Sequence, residues 1–155
     1  MITEFDDLAK RLKGIKFFES MESIPDFFMP IGNLGYSIIN RSNLDLMTRE
    51  IVIVRTASLA NCKFELYHHK PIALRVGVRG GVLMKLLTLD VNFEDAKINS
   101  LVQFVDELHV STVADAEKLK PWFTEDEIKQ IILVHGYYKM LAGYINTFGI
   151  DPYGD

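Results

Sequence analysis

The sequence predicts an all-α fold, a compact bundle of about six or seven helices forming one domain over residues 1–155. Three observations lead there. Nearly every segment repeats its apolar residues at helical intervals. Helix start and stop signals alternate in the right order along the chain. No pair of alternating segments is joined by a hairpin turn.

The elements follow in order. Thr3 with Asp6 marks a first helix whose stripe is Phe5, Leu8, Ala9 and Leu12, and Gly14 should end it. Residues 15–30 are rich in Phe, Met and Pro, with Pro25 suited to the first turn of a helix. Phe27, Phe28 and Met29 read as core before pocket wall or subunit contact. Gly32 and Gly35 are too little to suggest phosphate binding. Residues 40–45 form a polar connection.

Residues 46–60 are apolar around Arg49, Glu50 and Arg55 and lack Gly and Pro, which predicts a buried helix. Asn61 is expected to N-cap a second helix reaching about residue 76, where Gly77 stops it. Pro71 should kink that helix, because it cannot donate to the Tyr67 carbonyl. Arg79, Gly80 and Gly81 interrupt the pattern before a short apolar helix over residues 82–89. Asn92 with Asp95 begins the next, carrying Ile98, Leu101, Val102, Val105 and Leu108. After a junction at Pro121 and Trp122, Thr124 and Glu127 form a capping box for a last helix ending near Gly149.

Composition narrows the function. Hydrophobic residues make up 48% and charged residues 25% of the 155, as in an ordinary globular domain. A net charge of −4 gives no basic footprint for nucleic acid. One cysteine excludes an internal disulfide and fits a reducing compartment. The acidic N-terminus has no apolar core resembling a secretory signal, and no uncharged run matches a membrane span. The expectation is a cytoplasmic protein with a small-molecule substrate and neither nucleic-acid nor membrane partners.

The chemistry concentrates in residues 49–78. Cys62, Glu65 and His69 lie at i, i+3 and i+7, on one face of the second helix. Cys62 is expected in the first turn, where free N–H groups and the helix dipole favour a thiolate. Glu50 comes from the helix before. About eleven residues, or roughly 16 Å, separate Glu50 from the joint at Asn61, and about eight, or roughly 12 Å, separate the joint from His69. Antiparallel packing therefore brings Glu50 and His69 to similar heights.

This spacing resembles a known motif. Glu50, eleven residues, Cys62, two residues, Glu65, three residues and His69 is similar to the pattern of the carboxymuconolactone decarboxylase and alkylhydroperoxidase D superfamily. The peroxidase branch carries Glu-x11-Cys-x2-Cys-x3-His, and here Glu65 takes the second cysteine's place. Arg49 with Glu50, Phe64 with Glu65, and His69 followed by Gly77 and Val78 resemble the decarboxylase-like branch more closely. Residues 123–151 resemble that branch's closing helix. The resemblance implies an alkylhydroperoxidase D-like bundle, a homotrimer or homohexamer, no cofactor, and a proton-relay role for Glu50.

Each candidate has a plainer alternative. His69 is a general acid or base oriented by a carboxylate, or a core histidine bonded to backbone. Glu65 and Glu50 are its partners, or merely ion-pair residues, and two carboxylates in one pocket raise one another's pKa. Cys62 is a redox thiol, which without a second cysteine needs an external thiol for resolution, or a small buried hydrophobe. His68 points about 100° away from His69 and reads as a surface or interface residue. Arg55 binds a substrate carboxylate or is paired within the fold, and His135 reaches the pocket or bonds to backbone. Glu50, Glu65, His69 and His135 could number four metal ligands, but no second Glu-x-x-His helix accompanies them, and no metal is expected.

The expected function is cofactor-free acid–base catalysis on a small carboxylated or lactone substrate. The alternatives are a peroxide or thiol oxidoreductase of antioxidant defence using Cys62, and a non-catalytic oligomeric ligand-binding protein.

Overall fold

The computed structural model describes residues 10–89 and 91–153. These are helical with connecting loops, and no strand occurs among them. They fall into two compact units, one running to Ser42 and including the stretch from Ile150, the other Asn43–Gly149.

In the first unit, most of the helix expected from Thr3 lies outside the described residues. Residues 10–12 are helical, and Gly14 follows at φ +89°. A single turn, α1 (Lys16–Glu19), buries Phe17 and Phe18, whose rings meet edge-on at 4.8 Å. Helix α2 (Pro25–Asn40) starts with Pro25 in its first turn as expected, since that position needs no N–H. Phe27, Phe28 and Met29 diverge: Met29 is buried, while Phe27 is 63% exposed.

The second unit is built on α3 (Leu46–Leu59), whose residues from Thr48 to Ala57 are all buried. It packs against α4 (Lys63–Arg75), α5 (Gly80–Leu86), α6 (Ala96–Ser111) and α7 (Glu125–Phe148). A helix touched on every side cannot be amphipathic, which explains its continuous apolar reading. Asp45 caps it by accepting from Thr48 N at 2.9 Å.

The joint between α3 and α4 differs from expectation. Asn61 does not cap α4; it stands at φ +50° and terminates α3. Cys62 N donates to Ala57 O at 2.9 Å and Asn61 N to Ser58 O at 3.1 Å, the paired bonds of a Schellman ending. Cys62 is thereby both the residue after that ending and the N-cap of α4. It is therefore not in the first turn. Helix α4 ends the same way, with Val78 N on Ala73 O, Gly77 N on Leu74 O, and Gly77 at φ +105°. It remains helical through Pro71.

Two other boundaries move. Helix α5 starts at Gly80 rather than Val82 and stops at Leu86, where Arg55 Nη1 takes the carbonyls of Leu86 and Thr88 at 3.0 and 2.6 Å. Those acceptors are thus turned toward a guanidinium instead of continuing the helix. Helix α6 is capped by Asp95, which accepts from Ile98 N at 3.0 Å. Asn92 lies ahead of the helix, its carbonyl accepting from Lys85 Nζ at 2.8 Å. A 3-10 turn (Ala116–Lys118) leads to α7. The Thr124–Glu127 capping box is present, and Gly149 at φ +62° closes α7.

Candidate active site

Helices α3 and α4 bring Glu50, Glu65 and His69 together. His69 Nδ1 lies 2.8 Å from Glu50 Oε2, and His69 Nε2 lies 3.5 Å from Glu65 Oε2. Each ring nitrogen therefore faces a different carboxylate. Glu50 is 0% exposed and Glu65 4%, and His69 retains 8%. Arg49 completes the row, its Nε 3.0 Å from Glu50 Oε1.

Glu65 is the unusual group. Burial pushes its carboxyl up to about 7, His69 opposes that rise, and the Glu50 charge adds to it. A carboxyl with its midpoint near neutrality is populated in both protonation states at working pH and so can give or take a proton there. A 3.5 Å separation leaves the Glu65–His69 contact looser than the 2.8 Å bond that fixes the ring to Glu50.

Aromatic side chains close the site. Tyr138 on α7 meets the His69 ring edge-on at 5.1 Å and packs on Tyr137 at 5.3 Å. Burial, reinforced by the Glu65 charge, raises both phenols above their usual value, so both remain neutral. Tyr138 was not distinguishable in the sequence from ordinary core. His68 is exposed as expected, and its ring meets that of Phe64 at a tilt of 57° with centroids 4.6 Å apart.

Cys62 is 0% exposed. Burial raises its thiol, and this outweighs the helpful amides of Glu65 and Phe64. The expectation of a first-turn thiolate is thus corrected. The side chain stays protonated and is buried, like Ala57, as the apolar partner of the Schellman ending.

Arg55 is not placed as a free substrate ligand. Its Nε and Nη2 bind both oxygens of Asp106 at 2.7 and 2.8 Å, and Nη1 holds the two carbonyls ending α5. With 2% exposure, such a guanidinium is stable only when paired.

His135 belongs to a second cluster. Its Nδ1 is 2.9 Å from Thr56 Oγ1, and Thr56 Oγ1 donates its single proton to Val52 O at 2.7 Å. Thr56 can therefore only accept from the ring, which puts the imidazole proton on Nδ1. His135 Nε2 and His109 Nδ1 are buried without a hydrogen-bond partner, the rings meeting edge-on at 5.5 Å. Burial, then the charges of His109 and Lys139, lowers His135 to about 4. Among the described residues no group of three or more His, Cys, Asp or Glu is arranged to hold a metal ion. None of the described helices is long and apolar enough to cross a membrane.

Comparison with known proteins adds the following. No curated protein matches the chain in sequence. Among solved structures, an uncharacterised peroxidase-related protein from Ralstonia eutropha, described as an alkylhydroperoxidase AhpD core, superposes with a TM-score of 0.80 at 17% identity, over 98% of this chain and 90% of that one. A protein of unknown function from Agrobacterium tumefaciens, named as a candidate AhpD of antioxidant defence, gives 0.75 at 15% identity over 88% and 97%. An uncharacterised peroxidase-related protein from a Silicibacter species gives 0.73 at 16% over 97% and 87%. At these identities the likeness is one of fold. Residues 25–107, more than half of the chain, match the carboxymuconolactone decarboxylase family; the chain belongs to that family and has the AhpD-like all-α fold.

Proposed function

We propose that the chain is a cofactor-free acid–base enzyme resembling carboxymuconolactone decarboxylases, acting on a small carboxylated or lactone substrate. The observation that supports this reading is the buried row Glu50–His69–Glu65, with one carboxylate on each ring nitrogen. Glu50 orients the imidazole and stabilises its protonated form. Glu65 exchanges a proton with Nε2. In a decarboxylation, the bond to the departing carboxylate breaks, CO2 leaves, and the electron pair remains on carbon. His69 then protonates that carbon and recovers its proton from Glu65, which regains one from solvent.

The redox alternative has weaker support, because Cys62 is buried and its thiol is held protonated. The direct test is CO2 release from a panel of small carboxylated lactones by the wild type and His69→Gln. Loss of turnover by about 100-fold or more in the variant supports the reading. No turnover across the panel, or equal turnover in the variant, would sink it.

A further inference from the structure

Glu50 and Glu65 are chemically alike, both buried, and both against the same imidazole. Two carboxylates so placed cannot both ionise cheaply. Something must decide which one keeps its proton, since the ring-orienting role and the proton-donating role need opposite states.

Arg49 supplies the asymmetry. Consecutive helix residues point about 100° apart and do not ordinarily meet. Arg49 nevertheless turns back to place Nε 3.0 Å from Glu50 Oε1, with side-chain exposures of 7% and 0%. Both Glu50 oxygens are then occupied, Oε1 by the guanidinium and Oε2 by His69 Nδ1. The guanidinium cannot lose its charge at working pH. A fixed positive charge on Oε1 favours the Glu50 anion over its acid, so the proton exchanged with the ring is left to the other side, between His69 Nε2 and Glu65.

We propose that Arg49 is a positioning residue that commits Glu50 to the anionic, ring-orienting role and so leaves Glu65 as the carboxyl that exchanges a proton with His69. The inference rests on the acid–base reading of this site, but its test does not require turnover. Glutamate side chains carrying 13C at the carboxyl carbon report ionisation directly by NMR, with Glu50→Gln and Glu65→Gln assigning the signals. In the wild type between about pH 5 and pH 8, the Glu65 signal should titrate while the Glu50 signal stays that of the anion. The reverse pattern would overturn the proposal without any variant of Arg49.

In Arg49→Gln the Glu50 signal should begin to titrate, and the Glu65 midpoint should move by about one pH unit. Arg49→Lys, which keeps the charge, should restore most of the wild-type pattern. A folded Arg49→Gln with both signals unchanged would also overturn it. Where a substrate is in hand, the pH profile of kcat should follow the same order, a shift that a purely structural loss would not produce.

Discussion

His69 and Glu50, nineteen residues apart in the chain, share a 2.8 Å contact between Nδ1 and Oε2. That contact orients the ring: with the Glu50 carboxylate on Nδ1, the ring presents Nε2 to Glu65. Glu50→Gln should keep the shape but lose the charge that stabilises imidazolium. Turnover is expected to fall by about 10- to 100-fold, less than for His69→Gln. A Glu50→Gln enzyme with wild-type kcat and pH profile would remove Glu50 from the mechanism.

Cys62 gives the sharpest division between the two chemistries. As a packing residue it should tolerate Cys62→Ala with turnover within about 2-fold of wild type and a modest loss of stability. Brief exposure to peroxide should leave no sulfenic acid for a dimedone-type reagent to trap. Stoichiometric trapping, with turnover abolished in Cys62→Ala, would instead establish the thiol as the reacting group.

Glu65 and His135 should impose opposite pH dependences on stability. The folded Glu65 carboxyl titrates at about 7 against 4.5 unfolded, so its contribution is complete below 4.5 and is lost as pH rises through 7. Folded His135 titrates at about 4 against 6.5 unfolded, so its contribution is complete above 6.5 and is lost as pH falls toward 4. Between 4.5 and 6.5 the two slopes largely cancel. Urea midpoints of Glu65→Gln should therefore fall more steeply than wild type on acidification over that interval, and those of His135→Gln less steeply. Three parallel curves would contradict both shifts.

The outer side of α7 carries Leu133 at 59% and Met140 at 49% exposure, with Phe148 at 71% near its end. Apolar side chains grouped on one element favour the homotrimer or homohexamer that the family resemblance implies, which we propose for this chain. Light scattering at micromolar concentration should give a mass at least three times that of the chain, and Leu133→Asp with Met140→Asp should lower it. A monomeric wild type would rule that assembly out.

The heights of Glu50 and His69 were legible because rise per residue is constant in a helix, so counting from the joint sufficed. Glu65 was legible from its i, i+4 spacing to His69. Rotational phase was not, so the sequence left Glu50 as an ion-pair residue without singling out Arg49. Asn61 was misread because asparagine is favoured both at an N-cap and in the left-handed residue that ends a helix. The same ambiguity of small polar residues displaced the start of α6 from Asn92 to Asp95. Gly77 carried no such double meaning and was placed correctly. The Arg55–Asp106 pair joins positions 51 residues apart, and Tyr138 resembles any core aromatic, so neither partner left a local trace.

The Schellman ending at Asn61 and Cys62 acts as a mechanical pivot. Cys62 closes one helix and opens the next, with no intervening residue to absorb a change of angle. His69 sits about 10 Å along the arm from that pivot. A rotation of about 5° there moves the imidazole by about 1 Å, the scale on which proton transfer fails. Asn61→Val, which resists the left-handed conformation, should consequently impair catalysis from a residue that touches no reacting atom.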